Sequence, residues 1–156
     1  MTDEEAAYHE AGHAIVAMQL GYACASVSIV VTNETGDREG ALCDDPRDER
    51  LAHHGSRQQR YEDRVTILVA SEIAQQKISP RGSWKANIRC DQADILDAVI
   101  EHIGRDASED ATHRERRLVL AKVRPIAERV VVQQWHKIDR LAQELLAKSK
   151  VTFDLA

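Results

Sequence analysis

The chain has 156 residues, 30% of them charged, and a formal net charge of −5. This length is enough to bury an ordinary core, so we expect a single domain over residues 1–156. The acidic balance is not the electrostatic footprint of a protein that binds nucleic acid or anionic lipid. No apolar run reaches about 18 residues without a charge, so we expect no membrane span.

Cysteine usage and targeting signals bear on the compartment. The chain has three cysteines, Cys24, Cys43 and Cys90, and none of them belongs to a CxxC spacing. Such an odd, scattered set argues against a disulfide framework and a zinc–thiolate site, and it fits a reducing compartment. The acidic first residues do not have the pattern of a signal peptide. We therefore expect a cytoplasmic protein without disulfides.

Residues 2–20 are predicted to form a buried helix. Thr2 and Glu5 have the spacing of a capping box, and acidic residues lie at the positive end of the helix dipole. Residues 14–18 are continuously apolar. A helix with this composition is expected to pack inside the protein.

This helix carries an HExxH motif formed by His9, Glu10 and His13. Residues four apart share one helical face, so the two imidazoles project side by side, as two ligands of one zinc ion do. Glu10 is placed to accept a proton from a metal-activated water. The alternative is a solvated helix with two surface histidines. We favour the metal site, because burying these polar groups without partners costs several kcal/mol.

A short β-ribbon is predicted after this helix. Residues 25–32 are apolar and β-branched, which indicates a strand, and residues 33–37 have the composition of a turn. Residues 40–43 are predicted to pair back as a second strand. The charged segment 44–54 contains Pro46 and is predicted to be an exposed loop.

The rest of the chain is predicted to be helical, which gives a mainly α (α+β) fold class. The helical regions are residues 57–77, 91–104 and 108–148. Ser56 and Gln59 indicate a cap at the first of them, and Gly104 is a stop signal for the second. Residues 78–89 are predicted to be a loop, and Pro125 is predicted to break or kink the last region.

A catalytic zinc takes three protein ligands and leaves one position for water, so a third ligand is needed. The metzincin pattern has a third histidine six residues after the motif, and Gln19 occupies that position here. The remaining candidates are Glu72, Asp91, Asp94, Asp97, His53 and His54. Spacing alone does not choose among them, and either Asp91 or Asp94 is also a natural cap for a helix that begins near residue 91.

The sequence AYHEAGHAIV at residues 7–16 resembles the zinc-binding helix of the FtsH-family peptidase domain, the proteolytic half of membrane-anchored AAA+ proteases. Further segments are similar to that family in order and spacing, at residues 27–30, 40–42, 67–74, 93–98 and 135–146. The resemblance implies a helical, zincin-like domain of the FtsH peptidase type. The full-length relatives contain an ATPase, whereas no GxxxxGK[ST] phosphate loop occurs in this sequence.

Carried onto this chain, the resemblance makes His9 and His13 zinc ligands and Glu10 the catalytic carboxylate. It implies Asp94 as the third ligand, with Asp91, one turn earlier, as the rival for that role.

The chain departs from the family pattern at three places. Ala93 replaces the Asn that usually precedes the ligand Asp, and the helix around Ala70 lacks a paired Gly. Gln75 or Gln76 stands where an acidic residue is common. These departures concern the tuning of the site and not its existence.

Together these observations predict a zinc-dependent endopeptidase that uses Zn²⁺ to hydrolyse a peptide or unfolded protein substrate. The strand near residues 27–32, if its edge is open, is a place for an extended substrate to pair. A separate ATPase partner or a homo-oligomer is compatible with the sequence. The first alternative is a zinc-binding regulatory or adaptor module with little or no turnover. A second alternative is a small hydrolase that acts on a non-peptide amide.

Overall fold

The computed structural model of the protein describes residues 1–32, 34, 36–80 and 84–153, without the side chains of residues 52–53 and 84–91. The described chain is mainly helical with a small antiparallel sheet, as predicted. The α-helices are α1 (Asp3–Gln19), α2 (Arg57–Ile78), α3 (Trp84–Ile103), α4 (Glu109–Gln133) and α5 (Trp135–Lys148). The strands are β1 (Cys24–Val31), β2 (Arg38–Cys43) and β3 (Lys150–Thr152), and a 3₁₀ helix covers Glu49–His54.

The HExxH helix α1 lies at the centre of the fold, where it contacts α2, α5, β1 and β2. The predicted capping box is confirmed, because the Glu5 N–H donates to the Thr2 side chain and the Thr2 N–H donates to the Glu5 carboxylate. At Gly12 an added Cβ would lie 2.9 Å from the Cβ of Ala74 and 3.3 Å from the Cα of Ser71. The missing side chain therefore allows α1 and α2 to cross closely, which brings side chains of α2 against the motif.

β1 is the central strand of the sheet. β2 and β3 both pair with it in antiparallel fashion, so that Val27 lies opposite Ala41 on one side and Val151 on the other. β3 was not predicted, because three residues are too short to show a strand period. β3 covers the second edge of β1 at residues 26–28, so the open edge that substrate pairing with β1 would need is not available there.

The cysteines correct a second expectation. Cys24 and Cys43 lie opposite each other in the β1–β2 register and form a disulfide. The prediction of a protein without disulfides is therefore wrong. The pair is 19 residues apart in sequence, and only the register of the two strands brings it together. The cytoplasmic location stays a prediction.

Several helix boundaries agree with the prediction. The Gln59 N–H donates to the side chain of Ser56 at the start of α2, and Gly104 follows the end of α3 with a φ of +101°. The segment predicted as an exposed loop between β2 and α2 contains the 3₁₀ helix, so that expectation is wrong in part. No helix in the described part of the chain is long and apolar enough to cross a membrane.

Two boundaries differ from the prediction. α3 begins at Trp84, so residues 84–89 are helical and Asp91 lies inside the helix instead of capping it. α4 continues through Pro125 and ends only at Gln133, with Gln134 as its C-cap. Buried apolar residues on both sides of Pro125 explain this continuity, because packing outweighs the local cost of the proline: Val119, Val123, Ala127, Val130 and Val131.

Candidate metal centre

The two motif histidines lie on one face of α1, as their spacing predicts. Their ring centroids are 5.0 Å apart and the ring planes are nearly perpendicular, at 80°. His9 is buried, with 7% of its surface exposed, and His13 is half-buried. Burial lowers the pKa of His9, and burial together with the neighbouring His9 lowers the pKa of His13 to about 3. Both imidazoles are therefore neutral at neutral pH, which is the form that binds a metal ion.

Gln75 of α2 orients the first of these rings. Its Oε1 lies 2.9 Å from Nδ1 of His9. An amide oxygen only accepts, so Nδ1 carries the proton and Nε2 carries the lone pair. Histidine ligands of zinc are usually held in this way by an acceptor on the other ring nitrogen. The sequence alone did not distinguish Gln75 from Gln76 at the position where the family often has an acidic residue. The structure shows that Gln75 contacts the motif.

Glu10 is held by the second strand of the sheet. Its Oε2 accepts the backbone N–H of Ala41 at 2.9 Å. Gly40 lies directly beneath this carboxylate with a φ of +72°, and a Cβ there would be 3.1 Å from the same oxygen. Burial raises the pKa of Glu10 to about 7, against the lowering effects of the Ala41 N–H and of Arg38. This contact has no signal in the sequence, because it depends on where β2 lies relative to α1.

A cleft of about 370 Å³ opens beside the motif. Glu10 and His13 line it from α1, Gly40 and Ala41 from β2, and Ile67 and Leu68 from α2. The cleft therefore joins a proton acceptor and an imidazole with an apolar wall and the outer edge of a strand.

The predicted third ligand, Asp94, lies on an exposed position of α3. Burial and the neighbouring Asp97 raise its pKa, whereas Arg64 and Arg47 lower it. Among the residues that the structure describes, no three His, Cys, Asp or Glu side chains are grouped so that they hold a metal ion. Asp94 therefore stays a predicted ligand, and the side chain of its rival Asp91 lies outside the described residues.

The other candidates have different neighbours. Glu72 is buried on α2, where its carboxylate accepts a hydrogen bond of 3.3 Å from Gln92 of α3. Burial raises the pKa of Glu72, while Gln92 and two arginines of α4 lower it. His54 stacks on Tyr22, with ring centroids 5.0 Å apart, beyond the C-terminal end of α1. The side chain of His53 lies outside the described residues.

The donor chemistry of the motif fits a zinc ion. Two neutral imidazole nitrogens on one helical face are the ligands that zinc favours, and the hydrogen bond from His9 to Gln75 sets one tautomer. No protein-family model matches the chain, and no curated protein matches it either.

Proposed function

We propose that the protein is a zinc-dependent endopeptidase with a zincin-like fold of the FtsH peptidase type. One arrangement carries the proposal: two imidazoles lie one turn apart on α1, and the ring of His9 is oriented by Gln75. The carboxylate of Glu10 lies in the adjoining cleft with His13. A surface helix with two unrelated histidines would not place these groups together in a buried setting.

The reaction follows from the roles these residues take. His9 and His13 would hold the ion, with Asp94 as the proposed third ligand. Zinc, when bound, supplies Lewis acidity toward water and toward a peptide carbonyl. Glu10 accepts a proton from the attacking water and donates it to the amine nitrogen as the C–N bond breaks. The hydrogen bond from Ala41 keeps the Glu10 carboxylate in one orientation.

The outer edge of β2 is the proposed binding surface for the substrate. β1 pairs with one edge of β2, and the Ala41 N–H points from the other edge to Glu10. An extended peptide that adds to this edge would lie along the cleft. Such pairing needs an unfolded segment, so the expected substrates are flexible peptides or proteins unfolded by a separate ATPase partner.

A second candidate is a zinc-binding regulatory module with little or no turnover. The hydrogen bond between Ala41 and Glu10 favours this second function, because it occupies both the proton-accepting carboxylate and the edge of β2. Zinc content alone does not separate the two functions, since both retain the histidine pair.

The variant Glu10→Gln tests the proposed endopeptidase activity. This variant keeps the size of the side chain and removes the proton acceptor, so we expect it to retain bound zinc and to lose hydrolysis of a casein-like substrate by at least about 100-fold. Glu4→Gln is the matched control, because it makes the same change at an exposed position of α1. Equal activity in Glu10→Gln and the wild type refutes the mechanism. Zinc binding without any chelator-sensitive hydrolysis by the wild type favours the regulatory module.

A further inference from the structure

A second pocket, smaller and more basic, adjoins the cleft. Its volume is about 110 Å³, and its walls include Arg47, Arg57, Arg60, Arg64, Tyr61 and His102. We call it the arginine pocket. It shares Pro46 and Arg64 with the lining of the cleft beside the HExxH motif. This volume equals roughly three or four water molecules in the liquid, which is the scale of a small oxyanion.

Charge pairing in the arginine pocket is incomplete. Glu101 lies 3.2 Å from Nη1 of Arg47 and 2.8 Å from Nη1 of Arg64, so it pairs with both, and Asp45 forms a further ion pair with Arg47. Glu49 is 3.4 Å from Nη2 of Arg60. The remaining guanidinium, that of Arg57, forms no ion pair with any described residue and lies on the exposed rim.

The most buried guanidinium also has a vacant donor. Arg60 is only 4% exposed, and its Nη1 donates to the backbone oxygens of Pro46 and Asp48. Its Nε is buried and has no hydrogen-bond partner within the described part of the chain. A buried charged donor left unsatisfied costs about 1–3 kcal/mol or more. Arg57 is the first residue of α2, so the positive end of the α2 dipole lies at the same place.

We propose that the arginine pocket binds an oxyanion, either a phosphate or a carboxylate. Guanidinium groups match the planar and tetrahedral oxygens of such ions through paired N–H donors. The unpaired Arg57, the unsatisfied Nε of Arg60 and the helix dipole all favour negative charge. The stacked rings of Tyr61 and His102, with centroids 3.8 Å apart, close one wall as a flat surface.

The arginines have a structural role as well, but that role does not account for the whole pocket. The contacts of Arg60 with Pro46 and Asp48 tie the segment before the 3₁₀ helix to α2. Arg57 takes no part in that tie. Arg57 lies at the exposed mouth of the pocket, so a substitution there tests anion binding without disturbing those contacts of Arg60.

Inorganic phosphate is the probe for the proposal. We expect isothermal titration at constant ionic strength to show saturable binding of phosphate to the metal-free wild type. Loss of one charge-assisted contact in Arg57→Gln should weaken it about tenfold. Arg50→Gln is the matched control, because Arg50 is exposed, pairs with Asp48 and does not line the pocket. Circular dichroism confirms that both variants are folded.

The outcomes separate clearly. Absence of saturable binding by the wild type, or equal affinities in Arg57→Gln and Arg50→Gln, overturns the proposal. If a short peptide that contains glutamate competes with phosphate and its glutamine analogue does not, the oxyanion is a side chain of a peptide ligand. If phosphate binds and neither peptide competes with it, the ligand is a free anion. None of these readouts requires zinc or hydrolysis, so they are independent of the proposed peptidase activity.

Discussion

Replacement of Gln75 by leucine tests the arrangement that supports the proposed metal centre. Gln75 is 1% exposed, and its Oε1 accepts the Nδ1–H of His9 at 2.9 Å. Leucine has a similar volume, so the variant should keep the packing of α1 against α2 while removing the acceptor. The buried Nδ1–H would then lose this acceptor, and the ring would lose the bond that selects its tautomer.

The expected loss is large enough to measure. Residues that orient a histidine ligand typically account for about 10–100-fold in metal affinity. This range corresponds to about 1.4–2.7 kcal/mol. Gln75→Glu should retain zinc binding, because the carboxylate accepts the same hydrogen bond from His9. The substitution also removes the buried Nε2 of Gln75, which has no hydrogen-bond partner among the described residues.

Competition with a chromophoric chelator measures zinc affinity for each variant. Gln76→Leu is the control, because it makes the same change at the adjacent, half-buried position. We expect Gln75→Leu to bind zinc at least about tenfold more weakly than Gln76→Leu. If both variants bind zinc within about twofold of the wild type, Gln75 does not orient a zinc ligand.

Two further predictions concern the scaffold around the site. Gly12→Ala should lower the free energy of unfolding by about 1–3 kcal/mol, because its Cβ would lie 2.9 Å from that of Ala74. Urea denaturation measures this, and Ala74→Gly should cost less in the Gly12→Ala background than alone; strict additivity would contradict the packing argument. Cys24→Ser should lower the unfolding free energy by about 2–4 kcal/mol in oxidising buffer, since it opens the loop closed by Cys43. The wild type and Cys90→Ser should both lose stability when reductant is added, and an unfolding midpoint that ignores reductant refutes a stabilising disulfide.

Much of the helical framework was predictable because its signals are local. The Thr2–Glu5 capping box and the Ser56 cap both form as their sequences indicate. The HExxH spacing likewise predicts that two imidazoles share a face, and their rings lie 5.0 Å apart. A fixed helical period relates residues four apart without any knowledge of the rest of the molecule.

Features that depend on distant neighbours were not predictable in the same way. Pro125 is a local break signal, yet α4 passes through it because buried residues on both sides pack against the core. The start of α3 at Trp84 and the disulfide between Cys24 and Cys43 likewise have no local signal. Burial and strand register decide these features, and both are sums over contacts between remote segments.

The amino-acid sequence by itself determined which chemistry α1 carries, because an imidazole pair and a carboxylate at HExxH spacing follow from one helical turn. Only the tertiary structure decided the surroundings of that chemistry. The close crossing at Gly12 brings Gln75 to His9, and the position of β2 brings Ala41 to Glu10. These contacts join segments far apart in the chain, and their geometry exists only after the helices and the sheet have packed together.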